Sequence, residues 1–163
     1  MFTWKEEYSV KVEVIDAQHK RLFEMGQTMS DLVANHAGED IYDELNAMFE
    51  ELIDYTKYHF SEEEKLMEKV NYIHLEDHKI LHEKFIDKLL SFDLNQMDDD
   101  QGTFALKLLK TVATWIFKHI NGEDFQYREA MKLLWKLPHL VNLYVTHINL
   151  KWGFLVSVST KLL

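Results

Sequence analysis

Histidine and carboxylate side chains at helical spacing carry the chemistry legible in this sequence. In the stretch HFSEE, His59 and Glu63 stand four residues apart. Positions i and i+4 lie one above the other on a helix, so both side chains aim at one point. His78 and His82 repeat that spacing, His19 and His119 fall on apolar stripes, and Asp124 follows His119 by five residues. One histidine on an apolar stripe is ordinarily a core residue satisfied by a single hydrogen bond. Five of them with two carboxylates are a different case, because each buried polar group without a partner costs roughly 1–3 kcal/mol. Folds stable by about 5–15 kcal/mol do not carry that total easily. A metal ion removes the penalty by using the lone pairs.

Seven protein ligands exceed the roughly six positions of an octahedral ion, and each carboxylate has two oxygens with which to bridge, so the count implies two metals. Imidazole and carboxylate donors without sulfur suit iron or manganese better than copper(I) or structural zinc. Two ferrous ions bring about +4 of charge, which Glu63, Asp124 and a bridging hydroxide reduce to about +1, tolerable for a buried site. Iron is the expected metal.

The elements that must position these groups are helical. Proline occurs once and glycine five times in 163 residues, which leaves little to punctuate strands and predicts an all-α chain. After an N-terminal arm holding Trp4 and the alternating YSVKVEVI, Asp16 is the expected N-cap of a first helix reaching about Asn35. Its face carries His19, Leu22, Phe23, Gly26, Met29 and Val33. A second helix is predicted over about 40–69, with Leu45, Met48, Leu52, His59, Leu66 and Val70 inward. A third, over about 73–91, aligns Leu75, His78, Leu81, His82, Phe85 and Leu89. After the loop FDLNQMDDDQG, a fourth from about Thr103 aligns Ala105, Leu108, Val112, Trp115, Ile116 and His119. Short connections favour antiparallel neighbours, hence an up-down-up-down four-helix bundle. On an ideal helix five residues turn about 140° past the starting face, so His119 and Asp124 share a face only through a π-bulge or local loosening, for which Gly122 between them gives scope.

Composition excludes several classes. There is no cysteine, hence no disulfide framework, thiolate zinc site or thiol nucleophile. The net charge of −10 argues against a nucleic-acid partner. Neither a signal peptide nor an apolar run long enough to span a membrane is visible, so a soluble cytoplasmic protein is expected. The first 129 residues hold 14 bases against 28 acids, whereas the rest carries Lys132, Lys136, Lys151 and Lys161 with no acid.

Four segments in order, DAQHKRLF (16–23), HFSEEEKLM (59–67), HKILHEKF (78–85) and WIFKHINGED (115–124), resemble the ligand-bearing motifs of the hemerythrin family, specifically its bacterial single-domain members. The resemblance covers roughly residues 2–132. It implies a non-haem diiron centre with an oxo or hydroxo bridge that binds O2 reversibly. By that resemblance His78, His82 and His119 hold one iron, His19 and His59 the other, and Glu63 and Asp124 bridge them. O2 takes the open position on the iron with two histidines. Phe23, Phe60, Trp115 and Ile116 are expected to wall a dry pocket, with Ile116 standing where the family commonly has leucine.

Division into a diiron bundle (1–134) and a C-terminal extension (135–163) is expected. The extension reads either as a segment for self-association or membrane-surface contact, or as a non-native addition such as a shifted reading frame gives. His74 is placed at the rim, and His36, His139 and His147 at the surface. An oxygen carrier or buffer, able to pass O2 to a protein partner, is the expected role. An O2 or redox sensor acting through a partner and a diiron oxidase or peroxidase are the competing classes. The last is disfavoured because oxygen-activating diiron bundles use four carboxylates and two histidines.

Overall fold

The computed structural model describes residues 2–36 and 38–131. In chain order the helices are α1 (Glu13–Asn35), α2 (Tyr42–Lys69), α3 (Leu75–Leu90), the short α4 (Asn95–Asp99), α5 (Gln101–His119) and α6 (Phe125–Met131). A π-helical turn, Ile120–Asp124, joins α5 to α6. No strand occurs among the described residues. The four long helices form the expected bundle, with α1 packed on α2 and α5, and α2 on α3. Phe85 of α3 stacks on Trp115 of α5 at 4.0 Å between centroids, closing the fourth side. None of the described helices is long and apolar enough to cross a membrane.

Local chemistry sets the helix ends. α2 stops in a two-bond reversal in which the Tyr72 N–H donates to the Met67 carbonyl and the Asn71 N–H to that of Glu68, both at 3.0 Å. Asn71 takes a φ of +51°, a left-handed value asparagine tolerates at such a helix end. At the opposite end of the bundle the Asp100 carboxylate caps α5, accepting from the Thr103 N–H at 2.9 Å. Gln101 ties this corner to the α1–α2 connection, donating to Asp40 at 2.6 Å and accepting from the Ile41 N–H at 2.8 Å.

Two expectations are corrected. Asp16 does not cap α1, which begins three residues earlier, with Val12 at the N-cap position. Its carboxylate accepts instead from Ser9 Oγ at 2.6 Å and the Val10 N–H at 2.8 Å, folding the arm back on the helix. The stretch 92–102 is not all loop, since it contains α4, whose Met97 is fully buried. An apolar side chain anchoring five residues is too short a signal for helical periodicity to register.

The N-terminal arm buries Phe2, Val10 and Val12 and makes a 3-10 turn at Glu6–Tyr8. Phe2 lies against Gly26, where an added Cβ would come within 2.5 Å of its ring. The core is divided lengthwise. Phe49, Phe92 and Phe104 cluster where α4 meets α5, and the five buried histidines lie in the other half among apolar residues. Two of the four buried residues of α3 are His78 and His82, the others being Phe85 and Leu89. The boundary at 134/135, the tail's two readings, His139 and His147 all lie outside the described residues.

Candidate metal centre

Each long helix brings a histidine inward: His19 from α1, His59 with Glu63 from α2, His78 and His82 from α3, and His119 from the end of α5. Asp124 arrives from the π turn. Such a turn takes an extra residue and so cancels the over-rotation expected of a five-residue spacing, leaving His119 Nε2 and Asp124 Oδ1 3.1 Å apart. All seven side chains are buried, none more than 4 % exposed.

The ring nitrogens converge. His82 and His78 Nε2 lie 3.0 and 3.1 Å from His119 Nε2, close to the separation of two donors at right angles about one ion roughly 2.1 Å from each. Glu63 Oε2 is 3.2 Å from His82 Nε2, 3.5 Å from His78 Nε2 and 4.0 Å from His59 Nε2. Asp124 Oδ1 is 3.6 Å from His78 Nε2, and its Oδ2 is 3.3 Å from His19 Nε2. Both carboxylates therefore sit between the α3/α5 histidines and the α1/α2 histidines. Donor atoms of Glu63, His78, His82 and His119 lie within 4.8 Å of one another, as do those of His19, His59 and Glu63.

The polar atoms themselves fit a cation. Both ring nitrogens of His19, Glu63 Oε2 and both Asp124 oxygens are buried without a hydrogen bond. Orphans at this density are rare in native folds, where nearly every buried polar atom is paired. Electrostatics agree. Burial alone would raise the carboxyls of Glu63 and Asp124, yet the surrounding imidazoles hold both well below the ordinary range. Two buried anions require positive charge among them. Some comes from the rings: burial lowers His82, but Glu63 and Glu64 outweigh it and bring the ring to about 9. His59 goes the other way, pushed by burial to about 3. The donor set fits hard or borderline cations such as iron or manganese.

The outward ring nitrogens are held by residues that motif spacing did not single out. Glu64 Oε1 lies 2.7 Å from His82 Nδ1, and Gln18 Oε1 lies 2.9 Å from His59 Nδ1. A carboxylate and an amide oxygen only accept, so Nδ1 carries a proton in both rings, and Nε2, which faces inward, is the nitrogen left to meet a metal in place of a proton. Tyr127, fully buried, donates its hydroxyl to Glu63 Oε1. Burial and the two nearby carboxylates push this phenol well above its usual range, so it stays a donor.

Of the four expected wall residues, Phe60 lies flat on His82 with ring centroids 3.7 Å apart, and Trp115 stacks on His119 at 4.1 Å. Phe23 packs against Trp4, Tyr8 and Phe117, with Trp4 reaching to 6.4 Å from the His19 ring. Ile116 is buried one turn before Ile120. His74 stands outside the set, 59 % exposed beside Asp77.

Comparison with known proteins agrees with this geometry. Residues 10–131 match the family model described as the hemerythrin HHE cation binding domain. The chain is 37 % identical over 127 residues to a bacteriohemerythrin of Clostridium acetobutylicum, covering 78 % of this chain and 98 % of the relative. It is 34 % identical over 130 residues to that of Pseudomonas aeruginosa, 79 % of this chain and 80 % of the other. Hemerythrin subunit alpha of Lingula reevii is 31 % identical, over 78 % of this chain and 92 % of its own. A solved structure of a leucine-to-phenylalanine mutant superposes with a TM-score of 0.63 at 27 % identity, covering 79 % of this chain and 95 % of that one. With its bundle, its buried ligand cluster and these relatives, the chain belongs to the hemerythrin family.

Proposed function

We propose that this chain binds O2 reversibly at a pair of non-haem irons inside the bundle and acts as an oxygen carrier, buffer or delivery protein. The observation that carries the reading is the placement of two buried carboxylates between two groups of buried imidazoles. His78, His82 and His119 would hold one iron and His19 and His59 the other, with Glu63 and Asp124 bridging. Bound there with an oxo or hydroxo bridge, a ferrous pair would supply the electrons that O2 accepts on binding and returns on release. The half with only two histidines, His19 and His59, would leave room for O2.

The chain's own contribution is to hold that arrangement still and dry. Phe60 and Trp115 fix the planes of His82 and His119, and Tyr127 fixes Glu63. Phe23, Phe60, Trp115 and Ile116 form the apolar wall, and excluding water from it protects against irreversible oxidation. With two carboxylates and five histidines the centre has fewer anionic donors than oxygen-activating bundles use, which favours binding over turnover. The names of the relatives, bacteriohemerythrin and hemerythrin subunit alpha, support the same reading.

Reconstitution with Fe(II) without air, followed by optical spectra on adding and removing O2, tests this. A band that appears and fully reverses is expected. Irreversible oxidation with consumption of peroxide or an organic substrate would replace the carrier with an oxidase or peroxidase.

A further inference from the structure

The two outward hydrogen bonds differ in one respect: the acceptor beside His82 is a carboxylate, Glu64, and that beside His59 is a neutral amide, Gln18. We infer that Glu64 and Gln18 are positioning residues that set the two halves of the centre to unequal donor strength, so that ferric charge is stabilised more on the three-histidine side. This rests on the diiron reading above.

The argument is electrostatic. A ligating imidazole that donates Nδ1–H to a carboxylate gains imidazolate character and becomes a stronger donor through Nε2. An amide accepts the same hydrogen bond with no net charge and polarises the ring less. Glu64 lies close, at 2.7 Å, and is only a quarter exposed, beside a ring that is 2 % exposed. Water therefore screens this bond poorly. Among the described residues, the outward nitrogen of His59 meets only the neutral Gln18, itself buried, at 3 %. Phe60 lies flat on one face of His82, which leaves the in-plane hydrogen bond from Nδ1 to Glu64 undisturbed. The asymmetry places the weaker of these two donors, His59, on the half that would meet O2, which restrains loss of an electron there before O2 arrives.

Three variants separate charge from geometry. Glu64→Gln keeps an acceptor and removes the anion, Glu64→Leu removes both, and Gln18→Glu installs the anion on the other half. Iron per chain is measured first, then the reduction midpoint by mediated optical titration. With two irons bound, Glu64→Gln is expected to raise the midpoint by about tenfold in the ferrous-to-ferric ratio at fixed potential, 59 mV for a one-electron step. Gln18→Glu is expected to lower it. Glu64→Leu is expected also to weaken metal binding by about 10- to 100-fold, as loss of such partners does elsewhere. If Glu64→Gln keeps the wild-type midpoint, or if both charge changes move it the same way, Glu64 is only a structural prop and the inference is overturned. If the wild-type chain fails to hold two irons, the diiron reading falls and takes the inference with it.

Discussion

Glu63 and Asp124 each face histidines of both groups, so removing either should affect two metal positions at once. Glu63→Ala is expected to reduce bound iron from two per chain to one or none, whereas His59→Leu should cost only the second iron. Anaerobic titration with elemental analysis distinguishes the two. The metal-free protein should also show a particular pH dependence. His82 has a folded value of about 9 against 6.5, so its contribution to stability is fully present below 6.5 and is lost as pH rises through 9. His59, lowered to about 3, and the depressed carboxyls of Glu63 and Asp124 contribute above their unfolded values and lose that contribution on acidification. Thermal melts of metal-free protein should therefore peak near about 6.5, with metal loading flattening the alkaline limb. The seven inward residues were legible in the sequence because helical spacing puts a chemically distinctive side chain on an apolar stripe. Gln18, Glu64 and Tyr127 were not. Gln18 and Glu64 adjoin ligands in the chain, but which neighbour an outward ring nitrogen meets depends on how the helices are rotated against each other, which spacing along one helix does not contain.

At the scale of elements the long helices and the π turn were readable, the latter because His119 and Asp124 have to face one point from an awkward spacing. The start of α1 was not, since Asp16 serves the arm through Ser9 and Val10, a contact that a capping rule does not anticipate. Deleting Asn121 restores a four-residue spacing and ordinary helical winding. His119 and Asp124 would then share a face as an ordinary i, i+4 pair, so the deletion is expected to keep both helical circular dichroism and metal binding. Inserting an alanine after Asn121 instead gives a six-residue spacing that one π turn does not absorb; it should rotate α6 by about 100° about the helix axis, taking Asp124 off His119 and Tyr127 off Glu63, with helical circular dichroism retained and metal binding lost. Gly26→Ala tests the arm. Helix propensity favours alanine by up to about 1 kcal/mol, but the new methyl expels Phe2 and forfeits about 1.5–3 kcal/mol of burial. A net loss of about 1–2 kcal/mol is expected, read as a lower denaturation midpoint at unchanged slope.

For the molecule as a whole, stability and function share the same groups. One end of the bundle's interior is apolar packing around Phe49, Phe92 and Phe104, and the other sets the seven ionisable groups among apolar residues such as Phe60 and Ile116. Metal removal should thus weaken the molecule unevenly, and hydrogen exchange would map it. α3 is the element expected to be most affected, because two of its four buried residues, His78 and His82, belong to the candidate centre. Its amides are expected to exchange fastest among the long helices in the metal-free state and to gain the most protection on loading. Metal uptake would then be a docking event: α3 swings onto a preassembled frame of α1, α2 and α5, and the occupied centre acts as the latch that holds it shut.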